Sequence, residues 1–213
     1  SALSAQQVGS MTSDQLNGLG SDQLQALTAA QIKGLTTGQL TAMETGQVKN
    51  LSSTQVAALS AAQLNAFSDA QIQAIDTEDI AAISAAAIKG LGSQQIVDLS
   101  SDQVKALTTA QIKGLSATQI ASIEVDDLKE MGTAQISALS AQQVGSMTSD
   151  QLNGLGSDQL QMLTVAQIKG LTAEQLHSFS DDQLGNLTTD QVRALTADQV
   201  KLLTGDQIQK LNF

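Results

Sequence analysis

The 213-residue chain contains no Cys, Pro, Trp or Tyr and only three Phe. Without Cys it has no disulfide framework, no thiolate nucleophile and no Cys-based metal site. Bases are also few, and 10 Lys and Arg against 21 Asp and Glu give a net charge of −11. Nucleic acids and anionic membranes both require a basic face, so neither is an expected ligand. No stretch approaches the roughly 18 apolar residues that span a bilayer, and no membrane insertion is predicted.

What the chain has instead is a period of eight residues, the octad, which runs from end to end without insertion or deletion. Every eighth position from Leu3 to Leu211 is large and apolar, and a second apolar series runs from Val8 to Ile208. Gln precedes the second apolar residue in 23 of 26 octads. The departures are Asp79, Ala87 and Asp127. The unit therefore reads Leu-Ser/Thr-x-x-Gln-Ile/Leu/Val-x-small.

The spacing of the two apolar series decides the secondary structure. They alternate by five and three residues, so a simple strand would place them on opposite faces. In one continuous α-helix the apolar stripe would drift by about 80° per octad and bury nothing coherently. The remaining possibility is one short helix per octad, broken and restarted at the same place each time.

Capping chemistry supports this choice. The position after each Leu is Ser or Thr in 19 of 27 occurrences, and Gln follows three residues later, which makes a capping box. The flanking apolar residues occupy the positions of a hydrophobic staple. Of 21 acids, 19 lie on the cap or the next three positions, and nine of ten bases lie just after the second apolar residue, as the helix dipole favours. We predict an all-α solenoid of about 26 capped helices of roughly five to seven residues.

The number of octads in one coil of this solenoid stays open. Two octads per coil would give a rod on the order of 100–130 Å, and three would give a shorter, thicker one. The residue before each Leu is usually Ala, Gly or Ser, which predicts close approach of neighbouring backbones there. Phe67 and Phe179 occupy Leu positions, so we predict that both side chains lie in the core.

A longer period shows how the array arose. Residues 1–35 recur at 137–171 with 33 of 35 identical, an offset of 17 octads. The differences are Ala26 against Met162 and Ala29 against Val165.

Because no linker or shift in composition interrupts the octads, we predict a single continuous solenoid over residues 1–213. Its start at Ser1, without Met or signal peptide, predicts a processed chain or an excerpt from a longer array.

Octads such as Leu35-Thr36-Thr37-Gly38-Gln39-Leu40 and Leu107-Thr108-Thr109-Ala110-Gln111-Ile112 carry a resemblance that covers the whole chain. They resemble the LTTAQI-type octapeptide tandem repeats (LTxxQIxx) of very large bacterial secreted or cell-surface proteins described as adhesin-like. The resemblance implies export, an extracellular location at the bacterial cell surface, and a stalk or filament role. It brings no catalytic or ligand-binding motif.

Residues that could carry chemistry have simpler explanations within the octad. The only histidine, His177, takes a position usually held by Lys and is predicted to be exposed. Acidic clusters at 76–79, 124–127 and 181–182 lack the Gly turn and ligand spacing of known calcium loops, so we interpret them as helix-start charges. Ser and Thr serve as caps without a His/Asp partner. We predict no enzyme activity and no catalytic, cofactor or metal site.

Two functional classes remain open. The first is a structural spacer, stalk or filament-forming segment of a large extracellular bacterial protein. The alternative is an adhesin-like solenoid that recognises a protein or glycan through one face. Small, polar and interchangeable exposed positions favour the first. The expected partners are further copies of the chain or neighbouring repeats of one long chain, and a small-molecule ligand is not expected.

Overall fold

The computed structural model describes residues 3–212, which form 26 short α-helices of four to six residues, one in each octad, and no strand. The predicted all-α repeat fold is confirmed, with helices slightly shorter than expected. The helices are α1 Ala5–Gly9, α2 Ser13–Asn17, α3 Ser21–Gln25, α4 Ala29–Lys33, α5 Thr37–Ala42, α6 Thr45–Lys49, α7 Ser53–Val56, α8 Ala61–Asn65, α9 Asp69–Gln73, α10 Thr77–Ala82, α11 Ala85–Ile88, α12 Ser93–Val97, α13 Ser101–Ala106, α14 Thr109–Gly114, α15 Ala117–Ala121, α16 Val125–Glu130, α17 Thr133–Ala138, α18 Ala141–Gly145, α19 Ser149–Asn153, α20 Ser157–Gln161, α21 Val165–Gly170, α22 Ala173–His177, α23 Asp181–Asn186, α24 Thr189–Arg193, α25 Ala197–Leu202 and α26 Gly205–Lys210.

The helices begin at the predicted caps. Ser68 precedes α9 in an extended conformation (φ −69°, ψ 162°), and its Oγ accepts a hydrogen bond from the Gln71 N–H at 3.3 Å. In return, Gln71 Oε1 accepts from the Ser68 N–H at 2.8 Å. Where the cap is Gly20, only the second bond forms, at 3.0 Å, because glycine has no side chain. Reciprocal capping thus stabilises helices too short to persist alone.

The helices end without a left-handed residue. Leu107, which follows α13, donates its N–H to the Val104 carbonyl at 3.2 Å and is itself extended (φ −58°, ψ 129°). The cap of the following helix is extended as well, as Glu44 is (φ −72°, ψ 149°) after the extended Met43 (φ −63°, ψ 142°). Two consecutive extended residues therefore redirect the chain. No residue between positions 3 and 212 has a positive φ, so the turn requires neither Gly nor Pro.

The coils form within two compact units, the first ending at Gly114 and the second beginning at Leu115. In each unit the helices pack on those three octads further along, such as α1 on α4 in the first and α18 on α21 in the second. Hydrogen bonds between coils join residues 25 to 31 apart, so one coil takes between three and four octads. A two-octad coil is therefore wrong. That residues 1–213 form one continuous solenoid stays a prediction.

Both apolar series line the interior of these coils. The second series is almost wholly buried, with Leu64 and Ile96 at 0% exposure, and the Leu series is close to it. Phe67 and Phe179 are 3% exposed in Leu positions, which confirms that they belong to the core. Burying one such side chain contributes roughly 1.5–3 kcal/mol. Each octad adds two such side chains, and the side chains of more than three octads share the interior of one coil.

Close backbone approach occurs where it was predicted, at the small residue before each Leu. This residue lies over the first helical residue of the preceding coil, as Gly34 lies over Ala5. A Cβ on Gly34 would lie 2.6 Å from the carbonyl oxygen of Ala5, and one on Gly90 would overlap the backbone of Ala61. Side chains of larger residues in this position turn outward, since Met162 is 47% exposed.

Replacing Gly90 with Ala should destabilise the protein. The added methyl meets backbone atoms of α8 and must push two coils apart, which costs about 1–3 kcal/mol. The matched control is Gly38→Ala, because a Cβ at Gly38 meets nothing within 4 Å. That helical position should gain up to about 1 kcal/mol. Urea unfolding of both variants makes the comparison, and equal effects would contradict the close packing.

Insertions should be tolerated only in whole octads. A second copy of residues 36–43 placed after Met43 shifts the pairing of coils by one octad but keeps every bond at its 25- to 31-residue spacing. We expect cooperative thermal unfolding within a few degrees of the parent chain. Inserting only residues 36–39 breaks the spacing and should abolish the cooperative transition. Comparable unfolding of the two variants would show that the spacing does not matter.

Candidate functional site

The most distinctive arrangement in the structure is a column of buried glutamine amides. Gln55 Oε1 accepts from the Ser52 N–H at 2.9 Å within its own octad. Its Nε2 donates to the carbonyls of Leu24 and Leu27 in the preceding coil, both at 2.8 Å. With only 2% of its surface exposed, Gln55 joins two coils through one amide. We call these Gln side chains and their bonds between coils the glutamine ladder.

The ladder recurs through both units. Gln103 donates to Ile72 at 2.9 Å and Ile75 at 2.8 Å, and Gln191 donates to Leu160 and Leu163 at 2.8 Å. Nineteen Gln side chains in this octad position are buried: Gln31, Gln39, Gln47, Gln55, Gln63, Gln71, Gln95, Gln103, Gln111, Gln119, Gln135, Gln143, Gln151, Gln159, Gln167, Gln175, Gln183, Gln191 and Gln199. The capping role expected from the sequence is confirmed, and the structure adds the bonds between coils.

The chemistry of helix ends explains why the position is Gln. A short helix leaves amide donors at its start and carbonyl acceptors at its end without partners. The primary amide of Gln supplies an acceptor for the first and donors for the second. A buried polar group without a partner costs about 1–3 kcal/mol, so each ladder residue prevents several such losses. Glu offers no donor when ionised, and Leu offers neither.

Three octads interrupt the ladder, and all three replacements are buried. Asp79 is 7% exposed, Asp127 is 5% exposed and Ala87 is 4% exposed. Asp79 reverses the polarity of the contact, because its Oδ1 accepts from Ser53 Oγ at 2.5 Å instead of donating to a carbonyl. The ladder is therefore dominant but not obligatory in every octad.

The first acidic cluster lines a polar cleft of about 450 Å³. Its carboxyl groups are Asp76, Glu78, Asp79 and Asp102. Such a cleft attracts cations, but no group of three metal-ligating residues within positions 3–212 is placed to hold a metal ion. The interpretation of this cluster as helix-start charge stays a prediction.

The other two clusters pair with bases. Lys129 Nζ lies 2.8 Å from Asp126 Oδ1, and this hydrogen bond, together with the positive charge, lowers the pKa of the exposed Asp126 carboxyl. Asp181 lies 3.2 Å from Lys210 in the next coil. Exposed pairs of this kind add little stability. His177 is exposed, as predicted, and its backbone carbonyl accepts a hydrogen bond from Gln207 Nε2 at 2.8 Å.

Further bonds between coils escaped the sequence analysis. Asn50 Nδ2 donates to Ser21 Oγ at 3.1 Å, and Asn186 Nδ2 donates to Ser157 Oγ at the same distance. The two pairs are separated by the same 17 octads as the duplicated segments, although only Ser21 and Ser157 lie within those segments. The recurrence of the same Asn–Ser pair 17 octads further along the sequence was the signal that could have revealed this contact.

The protein-family model described as ALTTAQ repeat matches residues 19–53, 40–74, 72–109, 120–157, 152–189 and 182–212. These matches tile most of the chain and confirm its tandem-repeat organisation. No curated protein matches the chain. Among the residues that the structure covers, no helix has the length and apolar character needed to cross a membrane.

Gln103→Glu should destabilise the protein in a pH-dependent way. The introduced carboxylate would face the carbonyl oxygens of Ile72 and Ile75 in a buried site, and its pKa should rise. Below the ordinary Glu pKa of about 4.3 the neutral carboxyl can still donate one bond. The loss should therefore grow as the pH rises through the folded-state pKa, reaching about 2–4 kcal/mol at pH 8.

The matched control is Gln7→Glu, which occupies the same octad position but is exposed and keeps its capping bond. It should change the free energy of unfolding by less than about 0.5 kcal/mol at any pH. Urea unfolding between pH 5 and pH 8 stays above the isoelectric point of about 4.2. A pH-independent loss in Gln103→Glu, or an equal loss in both variants, would contradict the ladder.

Proposed function

Because the chain belongs to the ALTTAQ repeat family, we propose that this structural repeat protein serves as a spacer, a stalk or filament-forming segment of a large extracellular bacterial protein. The observation that carries the proposal is the repetition of one contact set. Gln39 in the first unit and Gln175 in the second donate to the same two octad positions of the preceding coil. A chain built from one repeated contact can change in length without changing its fold.

The engagement of polar side chains supports a structural role over an enzymatic one. Thr148 Oγ1 accepts from the Gln151 N–H at 3.1 Å, and Ser180 Oγ accepts from the Gln183 N–H at 3.2 Å. Hydroxyls that could act as nucleophiles are thus occupied in capping. We propose that the chain is not an enzyme and holds no cofactor. The resemblance of its octads to those of large secreted or cell-surface bacterial proteins supports the proposed extracellular position.

A shortened chain tests the spacer role in the producing bacterium. Deleting residues 36–171 removes 17 octads and joins Leu35 to Thr172, which recreates the natural junction of Leu171 with Thr172. With a C-terminal epitope, immunogold electron microscopy of intact cells measures how far the epitope lies from the cell envelope. We expect surface labelling for both chains and a shorter distance for the deletion variant, whose folding is checked by circular dichroism.

Two results would contradict the proposal. Labelling only after permeabilisation would contradict the extracellular location. An unchanged distance in a folded deletion variant would contradict the spacer role, whatever the location.

One observation favours the alternative, a binding solenoid of the adhesin-like type. The only two differences between the duplicated segments place larger apolar side chains in the second copy, where Met162 is 47% exposed and Val165 is 45% exposed. Restoring the first-copy residues with Met162→Ala and Val165→Ala should leave stability nearly unchanged. Loss of adhesion of the producing cells in this variant would support binding, whereas unchanged adhesion would leave the spacer role.

A further inference from the structure

Two of the six Asn residues in the chain, Asn17 and Asn153, are followed by Gly. Residues 12–20 and 148–156, which surround them, are identical in sequence. A main-chain nitrogen is least shielded when it belongs to Gly, because Gly has no Cβ, and can then attack the side-chain amide of the residue before it. Since the two segments are identical, their intrinsic reactivity is equal, and any difference between the sites comes from the fold.

The local backbone is also nearly the same at the two sites. Asn17 ends α2 and Asn153 ends α19. Each following Gly is helical, with φ −73° and ψ −6° at Gly18 and φ −75° and ψ −16° at Gly154. At both sites the Gly N–H donates to the carbonyl four residues earlier at 2.9 Å. The nitrogen must leave this bond before it can attack, and the last turn of a helix opens more readily than a buried core.

Contacts with the following coil distinguish the two sites. Asn17 is half-buried, and its Nδ2 donates to the Ala42 carbonyl at 2.7 Å. The Asn17 carbonyl also accepts from Gln47 Nε2 at 3.3 Å. The equivalent acceptor for Asn153 is the Ser178 carbonyl, 25 residues further along. Among the residues that the structure describes, Asn153 is exposed and its side chain makes no hydrogen bond.

We propose that Asn153 is a site of spontaneous deamidation in the folded protein and that Asn17 is protected from the same reaction. The nucleophile is the main-chain nitrogen of Gly154, and the co-reactant is water. This inference concerns a modification of the chain and does not depend on the spacer role.

The reaction proceeds in two balanced steps. In the first, the Gly154 nitrogen attacks Asn153 Cγ, so that an N–Cγ bond forms and the Cγ–Nδ2 bond breaks. The proton lost by the nitrogen leaves with the amide group as ammonia, and a five-membered succinimide ring remains. In the second step, water hydrolyses one of the two ring bonds to the nitrogen. Cleavage at Cγ gives Asp, and cleavage at the main-chain carbonyl carbon gives an isoaspartyl linkage.

The hydrogen bond of Asn17 opposes the first step. Its amide group must turn Cγ towards the Gly18 nitrogen and must therefore release the Ala42 carbonyl. From the net strength of one intramolecular hydrogen bond, we expect Asn17 to react about two- to tenfold more slowly than Asn153. The bond from Gln47 acts in the same direction, because it holds the end of α2 against the following coil.

Deamidation at Asn153 would alter the fold close to the core. Either product adds one negative charge to the net charge of −11. The isoaspartyl product also adds one carbon to the main chain beside Leu155, which is only 5% exposed. Close packing favours the reactive Gly, since a Cβ on Gly154 would lie 2.5 Å from Val125 Cγ1.

Peptide mapping by mass spectrometry tests the selectivity. The folded chain is incubated at pH 8 and then cleaved with trypsin, which places Asn17 in peptide 1–33 and Asn153 in peptide 130–169. The mass of each peptide reports its conversion, and chromatography separates isoaspartyl from Asp products. We expect Asn153 to convert about two- to tenfold faster than Asn17. In guanidinium, where the chain is unfolded, the two identical segments should convert at equal rates.

The matched variants are Asn153→Gln and Asn17→Gln, because Gln would have to form a less favourable six-membered ring. Ammonia release from the folded chain should fall by more than half in Asn153→Gln and by less than half in Asn17→Gln. Equal conversion of the two sites in the folded chain, or faster conversion at Asn17, would overturn the inference. It would also be overturned if Asn153 stayed intact in the folded chain over the time in which the unfolded chain converts.

Discussion

The buried glutamine amide is the interaction on which the rest of the structure depends. A helix of four to six residues cannot satisfy its own backbone, because nearly all of its amides and carbonyls lie in its first or last turn. The Gln side chain closes the start of its own helix and reaches the end of another helix one coil away. One side chain therefore provides both the local cap and the contact between coils. The stability of each octad thus depends on the octads that it contacts in the neighbouring coils.

The local part of this arrangement, the capped helix of each octad, could be predicted from the sequence. Ser/Thr-x-x-Gln predicted where each helix begins, and the two apolar series predicted the core, down to Phe67 and Phe179. It could not carry the geometry of the coil, because an octad of one kind repeats with no mark of which octad it will face. The partners of Gln103 lie 28 and 31 residues away, and nothing within a single octad encodes that distance. The Asn50–Ser21 bond was missed for the same reason.

Uniformity of the contacts has a functional consequence. Enzymes and specific binding proteins depend on a place where the pattern is broken, whereas here the main departures are isolated. Asp79 replaces the ladder bonds of its octad with a hydrogen bond accepted from Ser53 Oγ. Within the part of the chain that the structure describes, the cleft around it does not gather a set of metal ligands. A chain with this design can change in length by whole octads without changing its fold.

Amide proton exchange of the Gln side chains is the most direct test of the central claim. NMR can follow the Nε2 protons of buried residues such as Gln55 and Gln103 beside those of the exposed Gln7, Gln15 and Gln23. If the amides bridge coils, the buried Nε2 protons should exchange at least about 100-fold more slowly than the exposed ones. Equal exchange rates in the two groups would show that the glutamines do not hold the coils together.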